Sequence, residues 1–130
     1  MSIVTDNFNK SQEKNNDAKK IKLVIWDLDN TIWKGILAED KKVSLVEGIV
    51  DIIRTLDERG ILQSVVSKNN YNEAMAQLEA FNIDKYFIYP QIGWDRKSVY
   101  IKEIIRLINI GEDTVMFIDD QPFERDEVKF

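Results

Sequence analysis

Residues Leu23-Val24-Ile25-Trp26 run without a polar break into Asp27-Leu28-Asp29-Asn30-Thr31. Four consecutive apolar residues need cover on both sides of an extended chain, so they predict a buried strand of a parallel sheet. The carboxylates fall where that strand should end. Burying an ionised carboxylate is costly unless a metal, a cation or hydrogen bonds hold it. Side chains alternate along an extended chain, so Asp27 and Asp29 point the same way. Such a pair suits a divalent cation, and a nucleophile beside a proton donor.

Composition narrows the chemistry. The chain has 130 residues, enough for one domain with its own core. It has no Cys and no His. Disulfides, thiolate zinc sites, Cys nucleophiles and imidazole general bases are thereby excluded. What remains is carboxylate, hydroxyl and Lys, and carboxylates favour hard cations such as Mg²⁺. A net charge of −5 argues against a general nucleic-acid grip or an anionic membrane surface. No apolar run is long enough to span a bilayer, and the N-terminus has no signal-peptide core. The expected location is cytoplasmic.

Residues 1–20 are polar and aperiodic and predict a disordered leader before a catalytic core over 21–130. The first strand is expected over Ile21 to Asp27, followed by a loop carrying Trp33 and Gly35. Val46, Ile49, Val50, Ile53 and Leu56 recur at helical spacing, which predicts a helix from Leu45 to Arg59 ended by Gly60. A second strand covers Ile61 to Ser67, and a second helix Asn72 to Phe81. A third strand is expected over Tyr86 to Ile92. Asp95-Arg96-Lys97-Ser98 opens a third helix with Val99, Ile101, Ile104, Ile105 and Ile108 inward and Gly111 at its end. Val115 to Ile118 is a fourth strand running into Asp119-Asp120, and a helical start covers Pro122 to Val128. Alternating strands and helices imply an α/β fold with a doubly wound, Rossmann-like parallel sheet, whose sites lie beyond the carboxyl ends of the strands. Asp27, Asp29, Ser67, Lys97, Asp119 and Asp120 all fall on that rim.

These residues carry a resemblance. Asp27-Leu28-Asp29-Asn30-Thr31 resembles the first motif of the haloacid dehalogenase superfamily of phosphohydrolases. Ser67 resembles its second, Lys97 its third and Asp119-Asp120 its fourth, in the right order. Asp27 to Gly35, Ser67-Lys68-Asn69, Trp94 with Lys97-Ser98, and Phe117 to Arg125 are similar to subclass IIIC, the FkbH-like proteins. That branch is associated with polyketide pathways, where members dephosphorylate a bisphosphoglycerate and deliver a glyceryl group to an acyl carrier protein. Glyceryl transfer there is attributed to a Cys thioester, which this chain lacks. The interval between the first strand and first helix allows a minimal cap or none. The sequence stops soon after the fourth motif, so the expectation is a core truncated at its C-terminal part or completed by a partner chain.

The resemblance implies Mg²⁺ as cofactor, a phosphorylated small molecule as substrate and a role for each residue. Asp27 would attack phosphorus and form an aspartyl phosphate. Asp29 would be the general acid and then the base, with its backbone carbonyl on the metal. Ser67, Asn69 and Thr31 would bind the phosphoryl group. Lys97 would neutralise it and orient Asp27, with Lys68 and Arg96 as competitors. Asp119 would ligate the metal, and Asp120 would hold a metal-bound water or pair with Lys97. Each has a plainer alternative: a turn-capping Asp, an N-capping Ser67, a solvated Lys97. Trp33 and Trp94 would line the entrance or pack. Three functional classes follow: a phosphatase, the dephosphorylating component of a carrier-protein loading system, or a non-catalytic phosphate- or partner-binding scaffold. A receiver domain fits less well, because its phosphorylated Asp ends a middle strand, whereas Ser67 ends the second strand here. No Gly-rich loop supports a P-loop nucleotidase.

Overall fold

The computed structural model describes residues 20–40 and 42–128; but for Lys20, the expected leader lies outside them. Strands β1 (Leu23–Trp26), β4 (Leu62–Lys68), β5 (Gln91–Gly93) and β6 (Val115–Ile118) form one sheet in the order β5-β4-β1-β6. Every pairing in it is parallel. All of β1 is buried, as an apolar run with both faces covered must be. Val24 and Trp26 pack toward helices α1 (Ile49–Glu58) and α2 (Tyr71–Ala80). Leu23 and Ile25 pack toward α3 (Lys97–Ile108) and toward Val128, which follows α4 (Pro122–Glu127). The expected doubly wound α/β sheet is the observed one.

The chain leaves β1 for β4 on one side and returns from α3 to β6 on the other, so the direction of winding reverses between β1 and β6. A sheet opens a crevice at such a point, beyond the strands' carboxyl ends. Trp26 is opposite Ile118 in the β1–β6 register, and the Asp27 N–H donates to the Ile118 carbonyl at 2.9 Å. The next residues on the two strands are Asp27 and Asp119. Register alone therefore sets these carboxylates side by side.

Several expected boundaries move. Ser44–Leu45 is a short strand, β3, paired antiparallel with β2 (Trp33–Lys34), so Leu45 is not helical. The first helix instead begins after Gly48, whose φ of 80° suits glycine. Besides this β2–β3 pair, the described residues between β1 and α1 hold no further sheet. The third strand is confined to Gln91–Gly93: Asp84–Tyr86 is a 3₁₀ turn, Tyr89 is left-handed and Pro90 offers no N–H to a ladder. The third helix is capped by left-handed Asn109, not Gly111, and Val99 on it is exposed.

A buried polar chain ties the sheet to α1. Trp26 Nε1 donates to Gln63 Oε1 at 2.9 Å, and Gln63 Nε2 donates to the Ile53 carbonyl at 2.9 Å. Gln63→Leu would leave the indole N–H without its partner in a core. We expect it to cost about 1–3 kcal/mol in urea unfolding; a loss below about 0.5 kcal/mol would show that the indole needs no partner here.

Candidate active site

The strand order fixes the rim. Ser67 and Lys68 end β4, Asp27 follows β1, and Asp119 and Asp120 follow β6, so Asp27 lies between a hydroxyl and two carboxylates. Lys97 is the first residue of α3 and is 3% exposed, although a helix N-terminus disfavours a cation. Its ammonium is held by anions instead: Nζ lies 2.5 Å from Asp119 Oδ2 and 3.2 Å from Asp27 Oδ2. The expected solvated alternative for Lys97 is thereby set aside.

Carboxylate oxygens of Asp27, Asp119 and Asp120 all lie within 4.8 Å of one another. Against these three acids stands, among the described residues, the buried ammonium of Lys97. Burial, opposed by Lys97 and reinforced by Asp119, pushes the Asp27 carboxyl up to about 7. Burial and the adjacent Asp119 also raise Asp120. For Lys97, burial acts to lower the pKa, but Asp27 and Asp119 outweigh it and the net shift is upward. The cluster thus has more acid than its own cation can neutralise. This donor set of hard oxygens fits a divalent cation.

Asp29 lies apart from that cluster. Its Oδ1 accepts from Trp33 Nε1 at 2.9 Å and from the Leu37 N–H at 3.0 Å, and its Oδ2 accepts from Asn69 Nδ2 at 3.1 Å. Three donors therefore fix its orientation. Asn30 follows with φ of 54°, a left-handed turn that Asn tolerates. Asn30 and Gly35 exchange bonds: Asn30 N–H donates to the Gly35 carbonyl at 3.2 Å, and the Gly35 N–H donates to Asn30 Oδ1 at 2.9 Å. Gly35 has φ of 99°, and a Cβ there would come within 2.8 Å of Asp40 Oδ2.

A cleft of about 170 Å³ opens over this rim, lined by Asp27, Asp29, Ser67, Lys68, Lys97 and Asp120, among others. It is smaller than pockets that enclose a whole drug-sized ligand, and suits a compact head group with the remainder outside. Two residues expected at the substrate are not on its wall. Thr31 is fully buried, with its hydroxyl lacking a hydrogen-bond partner. Asn69 is buried, and its amide is committed to Asp29 and to Ser67 Oγ, at 2.8 Å from the latter. Of the two roles expected for Asp120, the ion pair with Lys97 falls instead to Asp119, one residue nearer the sheet and itself 3% exposed. Trp33 is buried against Phe81 and Asp29, while Trp94 is 68% exposed. Lys68 pairs with Glu124 at 3.0 Å rather than competing for Asp27. The sequence reading leaves out Trp33 as an Asp29 partner and Glu127 altogether, and holds Glu124 and Arg125 only as part of the stretch Phe117 to Arg125. The four-residue spacing of Asp29 and Trp33 was the one available signal for the first.

A family model described as haloacid dehalogenase-like hydrolase matches residues 3–127. The chain belongs to that family. Its fold matches the N-terminal part of a Bacteroides fragilis protein containing a phosphatase domain, crystallised with Mg, with TM-score 0.69 and 30% identity. The match covers 95% of this chain but only 36% of that one, so the chain spans about a third of that relative's length. A haloacid dehalogenase superfamily hydrolase from Ehrlichia chaffeensis matches with TM-score 0.69 and 17% identity over 85% of this chain and 83% of that one. The cobalt-bound deoxy-D-mannose-octulosonate 8-phosphate phosphatase of Haemophilus influenzae matches with TM-score 0.62 and 21% identity, covering 78% and 59%. No curated protein matches in sequence. No helix among the described residues is long and apolar enough to cross a membrane.

The acid excess has a thermodynamic consequence. The folded-state pKa of Asp27, about 7, lies above its ordinary 3.8, so folding binds this proton more tightly. The group's contribution to stability is then fully present below pH 3.8 and lost as pH rises through about 7. In EDTA the wild type should lose stability across that window relative to Asp27→Asn, by on the order of 4 kcal/mol at most. Urea unfolding of both proteins as a function of pH measures it. Parallel curves would show that Asp27 is not strained by its neighbours.

Proposed function

We propose that this chain is a Mg²⁺-dependent phosphoric-monoester hydrolase that works through an aspartyl phosphate on Asp27. The observation that carries the reading is the triad of Asp27, Lys97 and Asp119 at the winding reversal, with Ser67 and Asp29 lining the same cleft. Membership of a hydrolase family and the Mg-bound phosphatase-domain relative support it.

Asp27, Asp119 and Asp120 would hold Mg²⁺, with the Asp29 carbonyl as a further oxygen donor. When bound, the ion offsets the repulsion between an anionic ester and these carboxylates. Lys97 lowers the same barrier, being within 3.2 Å of the attacking carboxylate. Ser67 Oγ donates to a phosphoryl oxygen and fixes the ester in line with Asp27. Asp27 then forms a bond to phosphorus as the ester P–O bond breaks, and Asp29 passes a proton to the departing alkoxide oxygen. In the second half Asp29 takes a proton from water, the water oxygen attacks phosphorus, and the Asp27–phosphorus bond breaks to release phosphate. Asn69 bridges Ser67 and Asp29 and keeps the proton donor beside the phosphoryl site.

The shallow cleft leaves the leaving group outside, which suits varied or large phosphate esters, in a cytoplasmic setting. The FkbH-like motifs favour a secondary-metabolite pathway, with an acyl carrier protein as downstream partner. Because the chain has no Cys, it would there supply the dephosphorylation and another chain the thioester. A panel of phosphorylated metabolites, including phosphoglycerates with and without a carrier protein, discriminates these settings.

With Mg²⁺ the protein should hydrolyse an aryl phosphate, and Asp27→Asn should reduce the rate to less than about a thousandth. EDTA should abolish it reversibly. Full activity in Asp27→Asn would sink the phosphoaspartate mechanism. An inert wild type that still binds phosphate would favour the scaffold reading instead.

A further inference from the structure

The short helix α4 is joined by three of its side chains to three segments that carry the site. Glu124 accepts from Lys68 Nζ at 3.0 Å, beside Ser67. Arg125 Nη1 donates to the backbone carbonyl of Asp119 at 2.8 Å. Glu127 accepts from the Ser98 N–H at 3.0 Å through Oε2 and from the Ser98 hydroxyl through Oε1. Ser98 is the second residue of α3, directly after Lys97. None of these three side chains has a part in the chemistry above.

The bond to Ser98 bears most on the site. The residue at the N-cap position of α3 is Arg96, and its side chain makes no capping bond. A helix start normally has its second or third N–H satisfied by the N-cap side chain. Here a carboxylate from another helix does that work, and its negative charge also suits the positive end of α3. The Lys97 stem has a fixed reach, so its ammonium meets Asp27 and Asp119 together only while the first turn of α3 stays where it is. Glu127 fixes that turn from one side, while Arg125 fixes the Asp119 backbone from the same helix.

We infer that Glu127 is a positioning residue for Lys97, holding the first turn of α3 so that the ammonium stays between Asp27 and Asp119. Its kinetic consequence rests on the hydrolase reading; its structural consequence does not. Loss of the anchor should displace the ammonium by a fraction of the α3 turn while the sheet and core stay intact. Misplacement on that scale costs turnover rather than binding, since Ser67 and the carboxylates remain in place.

Two readings test this on the full chain. The first is the ¹H–¹⁵N signal of the Lys97 ammonium, identified by its loss in Lys97→Met, which is sharp when the group is buried and paired. The second is the kcat and KM of aryl phosphate hydrolysis. Glu127→Ala should broaden or erase the ammonium signal and lower kcat about 10- to 100-fold with little change in KM. Glu127→Gln, which keeps hydrogen-bonding atoms at the same place, should restore most of both. Glu103→Gln breaks the exposed pair with Arg106 on the same helix and should leave both readings as in the wild type. If Glu127→Ala does not fold, Ser98→Ala removes one of the two bonds and takes its place. An unchanged Lys97 signal in the altered chain overturns the inference, as does an equal fall in Glu103→Gln. If the wild type is inert toward phosphate esters, the ammonium signal alone decides, so the two readings fail separately.

Discussion

The ammonium of Lys97, buried between the carboxylates of Asp27 and Asp119, is the interaction around which the rest of the molecule is organised. Two carboxyl groups and an ammonium do not enter a core cheaply, and removing one member of such a set leaves its partners uncompensated. The fold assembles them from three separate segments. The β1–β6 register supplies the two acids, and the start of α3 supplies the base. The sheet's reversal of winding at the same point opens the cleft through which a ligand would reach them. Structure and chemistry therefore coincide: the register that completes the sheet also produces the local excess of negative charge.

The fold was largely legible because its signals are local. An all-apolar run such as Leu23 to Trp26 has few other ways to be covered, and the Ile-rich period of α3 repeats long enough to identify a helix. The errors fell where tertiary pairing overrode local pattern. Leu45 fits the helical period of α1 yet pairs with Trp33. Val99 fits the period of α3 yet faces solvent. Around Tyr89 and Pro90, aromatic composition suggested a strand that backbone geometry forbids.

The site was legible to a different degree. Which residues gather on the rim follows from strand ends, and Asp27, Asp29, Ser67, Lys97, Asp119 and Asp120 are there. How they pair does not follow. A sequence cannot say which of two adjacent acids turns toward Lys97, and it is Asp119, the one in register with Asp27. Nor can it say that Trp33 and Asn69 both donate to Asp29, since these contacts span loops whose paths depend on the packed core. The residues of α4 are the extreme case: their partners Lys68, Ser98 and Asp119 lie on three other segments.

Lys97 alone does not balance Asp27, Asp119 and Asp120, so these three acids should take up a divalent cation. The most direct measurement is the anomalous scattering of crystals grown with Mn²⁺, which takes the oxygen ligands that Mg²⁺ takes. One strong peak is expected at about 2.1 Å from carboxylate oxygens of at least two of these three residues, weakened or absent in Asp120→Asn crystals. A cluster that stays without a peak at saturating Mn²⁺, or a peak bound elsewhere on the molecule, would contradict it.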